Sequence, residues 1–253
     1  NGVRLVGRSF KYHRPRGVFS AGPEEPSALV QLGSGPLAEP NTRATQVELC
    51  ANLEAFSQNC WPGVNLDLLS INNLFSAVLP AGFYYKTFMW PRSFWEKLYE
   101  PVIRRAAGLG GLSGHNNADR YEKAFGFCDV LVIGAGPAGL MAALTAGRVG
   151  AGVSLAGEDT AMGGGVLGEV EGVDGKPGAA WVADALAELA AMDNVRLMTR
   201  TTVTGAYDQG TYGALERVSQ HEMRRHSLKE CHRPRECFWR IAAKHCVLAA
   251  GAI

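Results

Sequence analysis

The feature that most limits what this chain can fold into is a run of four apolar residues, VLVI at 130–133, leading straight into Gly134, Gly136 and Gly139. An apolar run this short, closed by glycine, suits a strand buried on both faces, and Pro137 directly after it suits the first turn of a helix. The glycine spacing is G-x-G-x-x-G, and each glycine has its own reason. Gly134 permits a sharp turn, Gly136 lets backbone approach a pyrophosphate, and Gly139 lets the helix pack closely on the strand. The unpaired N–H groups and positive dipole end of a helix opened by Pro137 and Ala138 then face the phosphates. The stretch reads as a dinucleotide cradle, with Gly134, Gly136, Pro137, Ala138 and Gly139 as candidate contacts.

With 31 glycines in 253 residues, a loose glycine template could be met by chance, so its surroundings decide. Residues 140–149 are Ala-rich and helical in pattern, Gly147 and Gly150 break them, and Val153, Ser154 and Leu155 supply a second short strand. The carboxylate expected about 20 residues after the glycines, to hold a ribose hydroxyl, is Glu158. It comes one place late, because Gly157 takes the position nearest the strand end. Gly163 and Gly164 follow as a second place where backbone could approach phosphate.

The length allows one large or two small domains with a sizeable core. The formal charge of +1 gives no long-range field for nucleic acid or an anionic membrane, and neither is expected as a partner. Six cysteines, at 50, 60, 128, 231, 237 and 246, contain no C-x-x-C pair and fit free thiols in a reducing cytosol better than a disulfide framework. No apolar run of spanning length and no signal-peptide pattern occur, so the expected location is cytoplasmic. The chain starts at Asn1 and stops at an expected strand end, and we expect it to be cut at both ends.

Residues 1–19 carry Arg4, Arg8, Lys11, Arg14 and Arg16 without one acid, and these basic groups are expected to pair with acids elsewhere. A loop over 20–45 is interrupted by a strand at 28–32. From Val47 to Gly108 large aromatics and Pro breaks describe an extended connector. A helix is expected near 93–107, capped by Ser93 with Glu96 and kinked at Pro101. After the glycine motif come a helix over 177–192, a third strand over 195–203, a strand meander ending at 238–241 and a buried strand from Cys246. This order suits a doubly wound, Rossmann-like α/β domain with ligand at the strands' carboxyl ends. The expected domains are 1–46, a connector over 47–127, and a dinucleotide-binding domain over 128–253.

The segments NGVRLVGRSFKYHRPRG at 1–17, LPAGFYYKTFMWP at 79–91 and YEPVIRRAAG at 99–108 resemble the α subunit of heterotetrameric sarcosine oxidase. The resemblance implies a complex that demethylates sarcosine to glycine, reduces oxygen to hydrogen peroxide and passes the one-carbon unit to tetrahydrofolate. It implies NAD on this chain, and FAD and FMN mainly on or bordering a β subunit. It also implies an N-terminal ferredoxin-like segment. Placed on the cluster-bearing pattern of the wider family, Ser20, Glu25 and Ala28 stand where three cysteines would be, with Thr45 near the fourth, so no iron–sulfur cluster is expected. By the same resemblance Gly134, Gly136 and Gly139 hold the pyrophosphate, Glu158 the adenosine ribose, and Gly163 and Gly164 lie beside the phosphates. Val203 offers backbone to the adenine and Gly251 closes the site. NAD is expected over NADP, because no Arg follows Glu158 closely in sequence to take a 2′-phosphate.

Cys231, His232, Cys237, His245 and Cys246 match no common metal spacing, and no metal site is expected. His221 and His226 with Arg224 and Arg225 read as a solvated hairpin. No residue is assigned a catalytic role. Two other functions stay open: a subunit of an opine, proline or glycine-oxidising dehydrogenase complex, and a non-catalytic subunit stiffened by a bound dinucleotide.

Overall fold

A computed structural model describes residues 4–9, 13–20, 25–78, 82, 90–106, 113–117, 119–170, 172–219 and 233–251. The chain divides into two compact units, Asn1–Ala118 and Asp119–Ile253.

In the first unit, β1 (Gly7–Arg8) and β2 (Pro15–Arg16) form a short antiparallel hairpin. A three-stranded antiparallel sheet has β3 (Leu29–Leu32) between β4 (Glu39–Arg43) and β5 (Ala55–Phe56). Val30 and Leu32 alternate inward on β3 and are buried with Ala28, as a period of two requires. The hairpin is tied down by charge. His13 Nδ1 lies 2.7 Å from Asp67 Oδ2, Arg8 stands 3.9 Å from the same oxygen, and Asp67 Oδ1 accepts the N–H groups of Trp61 and Leu69. Arg8 of the basic arm thus has an acid partner within its own unit.

A 3-10 segment covers Leu68–Val78, and a π-helical turn at Trp95–Tyr99 runs into α1 (Glu100–Ala106). The expected capping box at Ser93 does not form. The N–H groups of Phe94 and Trp95 already bond the carbonyls of Pro91 and Arg92, at 3.0 and 3.2 Å, and the helix starts without a side-chain cap. Pro101 has no N–H to give to the preceding turn, and the wide π turn lies directly before it. The aromatic run at 83–89 lies outside the described residues.

The second unit is built on six strands: β6 (Tyr121–Ile133), β7 (Val153–Ala156), β8 (Val195–Met198), β9 (Thr201–Tyr207), β10 (Thr211–Arg217) and β11 (Glu236–Leu248). Their order is β8-β7-β6-β11-β10-β9; β8, β7, β6 and β11 are parallel, and β9, β10 and β11 form an antiparallel meander. Helices α2 (Pro137–Arg148) and α3 (Gly178–Ala190) connect the parallel strands. Alternation along β6 divides the core. Val132 packs with Leu140, Leu144, Val182 and Leu189 of the helices, while Leu131 packs with Ala214 and Ile241 of the meander. Helices therefore cover one face of the parallel strands, and side chains of the other face pack with those of β10 and β11.

Two local expectations are corrected. Residues 195–203 are two strands: Arg200 takes a left-handed conformation (φ 53°) in the turn that separates β8 from β9, which lie at opposite edges of the sheet. The stretch from Cys246 is the end of the long β11 and is exposed: β10 leaves β11 after Ala242, and beyond that point the pairing recorded for β11 is with β6 alone. Among the described residues no helix is long and apolar enough to cross a membrane.

Candidate dinucleotide site

The site lies at the carboxyl ends of β6 and β7. At Gly134 the chain leaves β6 with φ 104°, and a Cβ there would lie 2.3 Å from the carbonyl oxygen of Ala249, just past β11. Gly139, inside α2, is fixed by a different contact: its Cβ would lie 1.9 Å from the carbonyl oxygen of Gly134. Both positions need glycine because protein backbone fills the space. Gly136 differs, since a Cβ there would meet nothing within 4 Å, and it is the N-cap of α2 with no side-chain cap. Pro137 and Ala138 are exposed beside it, and the first helical N–H bond runs from Leu140 to Gly136, leaving the earlier donors of the turn to solvent or ligand. An open, uncapped helix start above a glycine turn fits a pyrophosphate.

Gly163 and Gly164 are brought to the same place. The Gly163 N–H bonds the Ala135 carbonyl at 2.7 Å, and a Cβ on Gly164 would lie 3.2 Å from the Cα of Gly136. Their φ values, 130° and 59°, suit glycine as well. Gly157 is buried at the end of β7, and its Cβ would sit 2.8 Å from the Cβ of Ala135. A carboxylate cannot stand there without pushing the phosphate loop aside, so the acidic residue comes one place later. That residue, Glu158, is half-buried. Val203 lies on β9, opposite Ala214, and packs on the meander side of the sheet. Gly251 (φ 84°) follows Ala249, the residue that closes on Gly134.

Sequence reading missed the clamp behind Glu158. Three successive carbonyls are held: Gly157 by the Thr201 N–H at 2.8 Å, Asp159 by the Arg200 N–H at 2.9 Å, and Glu158 by the Arg217 guanidinium. Arg217, at the end of β10, is 59 residues from Glu158, so an inspection of neighbours in sequence could not find it.

Of the remaining candidates, His221, Arg224, Arg225, His226, Cys231 and His232 lie outside the described residues. Cys237 is buried and Cys246 exposed. Burial raises the Cys237 thiol, so it stays neutral.

Residues 1–60 match the family described as a 2Fe-2S iron-sulfur cluster binding domain. This corrects the expectation of no iron–sulfur cluster, which weighed four positions only, whereas the match follows the pattern of all 60 residues. The thiols in that segment are Cys50 and Cys60, and a cluster takes four ligands; these residues do not make a complete site, and no chemistry is derived through iron.

The chain is 55% identical over 252 residues to sarcosine oxidase subunit alpha of Rhizobium meliloti (strain 1021), covering 100% of this chain and 25% of the relative. It is 34% identical over 257 residues to sarcosine oxidase subunit alpha of Corynebacterium sp. (strain P-1), covering 100% of this chain and 21% of the relative. The structure is similar to the crystal structure of L-proline dehydrogenase from P. horikoshii, with a TM-score of 0.57, 17% identity, and coverage of 100% of this chain and 36% of that one. This likeness supports the FAD/NAD-binding α/β fold. The chain spans about a quarter of the length of the curated relatives it matches, and over its whole length it is a homologue of sarcosine oxidase α subunits.

Proposed function

We propose that this chain is the NAD-binding part of an oxidoreductase α subunit that works in oxidative N-demethylation of sarcosine. One observation carries the NAD site: Gly136 opens on free space while Gly134 and Gly139 are closed by backbone, so the motif leaves room for a ligand at the glycine that a pyrophosphate needs. On this reading Gly134, Gly136, Pro137, Ala138, Gly139, Gly163 and Gly164 form the phosphate cradle. Glu158 receives the adenosine ribose, Val203 the adenine, and Gly251 borders the site. No residue of this chain is assigned a catalytic role. FAD and FMN are held mainly on or beside a β subunit of a cytoplasmic heterotetramer, where sarcosine yields glycine and hydrogen peroxide and tetrahydrofolate takes the one-carbon unit. Similarity over the whole of this chain to part of the α subunits of two genera supports this assembly.

A second reading is favoured by the match of residues 1–60 to an iron–sulfur domain: a subunit of an opine, proline or glycine-oxidising dehydrogenase complex. One experiment separates the two. The full chain is purified with its partners and denatured, and the released dinucleotide is identified by mass spectrometry beside the visible spectrum. NAD without flavin on this chain is the expected result. Tightly bound FAD on this chain overturns it and puts the second reading first.

A further inference from the structure

The clamp behind Glu158 has a donor that the glycine motif does not call for. Thr201 and Arg200 hold the carbonyls of Gly157 and Asp159 through backbone N–H groups, which any residue could supply. The carbonyl between them accepts from the Arg217 guanidinium, a side-chain donor that reaches it from the end of β10. Arg217 is itself anchored, because its own N–H bonds the Arg200 carbonyl at 3.0 Å and β10 pairs it with Glu236 on β11. The meander is thus tied to the turn that presents Glu158. Glu158 comes one place late in the sequence, forced there by the contact of Gly157 with Ala135, so its carboxylate depends on how this turn is held.

We propose that Arg217 is a positioning residue for dinucleotide selection: by gripping the Glu158 carbonyl it sets the Glu158 carboxylate at the adenosine ribose. The Glu158 carboxylate so placed accepts from a free 2′-hydroxyl and repels a 2′-phosphate, so the site takes a ribose with a free 2′-hydroxyl over one carrying a 2′-phosphate. This rests on the reading of the glycine turn as an ADP cradle.

The test uses the full chain with its native partners, stripped of bound nucleotide, and calorimetric titration with ADP-ribose and with its 2′-phosphorylated analogue. Arg217→Ala is expected to weaken ADP-ribose about tenfold, the scale of one hydrogen bond to a charged group. Arg217→Lys, which keeps a donor, recovers most of the loss. In a Glu158→Ala background the same Arg217→Ala change costs less than about threefold, because the carboxylate it positions is gone. An equal cost in both backgrounds, or none in either, overturns the proposal and leaves Arg217 as a support of the fold. Failure of the unsubstituted protein to bind ADP-ribose overturns the cradle itself, and the proposal with it. Unchanged melting of Arg217→Lys guards against unfolding as the cause.

Discussion

At the scale of single residues, the three motif glycines separate into two kinds. Gly139→Ala puts a methyl 1.9 Å from the Gly134 carbonyl oxygen, and neither backbone can yield without displacing α2 from β6. We expect a loss of at least about 1–3 kcal/mol of stability, seen as a lower melting temperature, with nucleotide binding lost as well. Gly136→Val meets open space at φ −74° and ψ −175°, which valine adopts readily. It is expected to leave melting nearly unchanged and to abolish dinucleotide retention; retention in this variant would sink the cradle. In the other unit Glu25 is buried, and its carboxylate accepts the N–H of Ser27 together with the N–H groups of Ser20 and Phe19 and the Ser20 hydroxyl. The Ser27 N–H, helped by the others, outweighs burial and lowers its pKa from 4.5 to about 2. A depressed acid stabilises the fold fully above its unfolded value, and that stabilisation is lost as pH falls through the folded one. Hydrogen exchange over residues 13–20 and 25–27 is therefore expected to accelerate as pH drops from about 4.5 toward 2, after correction for the intrinsic rate. In Glu25→Gln this pH-dependent component should be absent.

At the scale of elements, the end of α2 shows how one polar side chain joins helix, loop and strand. The Asn194 side-chain N–H2 donates to the carbonyls of Gly147 and Ala151 at 3.0 and 2.6 Å, and the backbone carbonyl of Asn194 accepts from the Val153 N–H at the start of β7. Asn194→Ala removes both donors; the Gly147 carbonyl keeps the Gly150 N–H, while the Ala151 carbonyl loses this bond, so about 1–3 kcal/mol and a few degrees of melting temperature are expected to go. An unchanged melting temperature would refute this role. In the sequence Asn194 stands between the expected helix over 177–192 and the strand from 195, and nothing local shows these bonds. Elements whose signals are local were legible: the apolar run of β6, the glycine start of α2, the buried β7 and the periodicity of α3 follow from side chains close in sequence. What depended on long-range pairing was not. The alternation over 195–203 has a strand's period on both sides of Arg200, so nothing local revealed the turn there. The exposure of Cys246 follows from where β10 stops pairing with β11, and a strand's sequence does not record the length of its neighbour. Arg217 stayed hidden for the same reason.

At the scale of the whole molecule, every candidate contact for the dinucleotide belongs to one unit, Asp119–Ile253, whereas the iron–sulfur family match covers residues 1–60 of the other. The glycine motif, Glu158 with its clamp, and the tail of β11 are spread over more than 100 residues of sequence and gathered by a single sheet. A ligand that binds only the folded unit stabilises it by mass action, by about 2.7 kcal/mol at a hundredfold excess over Kd. The consequence is a regional response. Adding NAD to the full chain, stripped of nucleotide, should slow amide exchange at residues 134–139, 157–164 and 199–203. Exchange at residues 25–32 and 39–43, the sheet of the first unit, should keep its rate. Equal slowing in both sets would mean that the nucleotide acts on the chain as a whole, and slowing confined to the first unit would remove the site from the glycine turn. Protection confined to residues 134–139, 157–164 and 199–203 would place the binding energy where Gly136 leaves space for it.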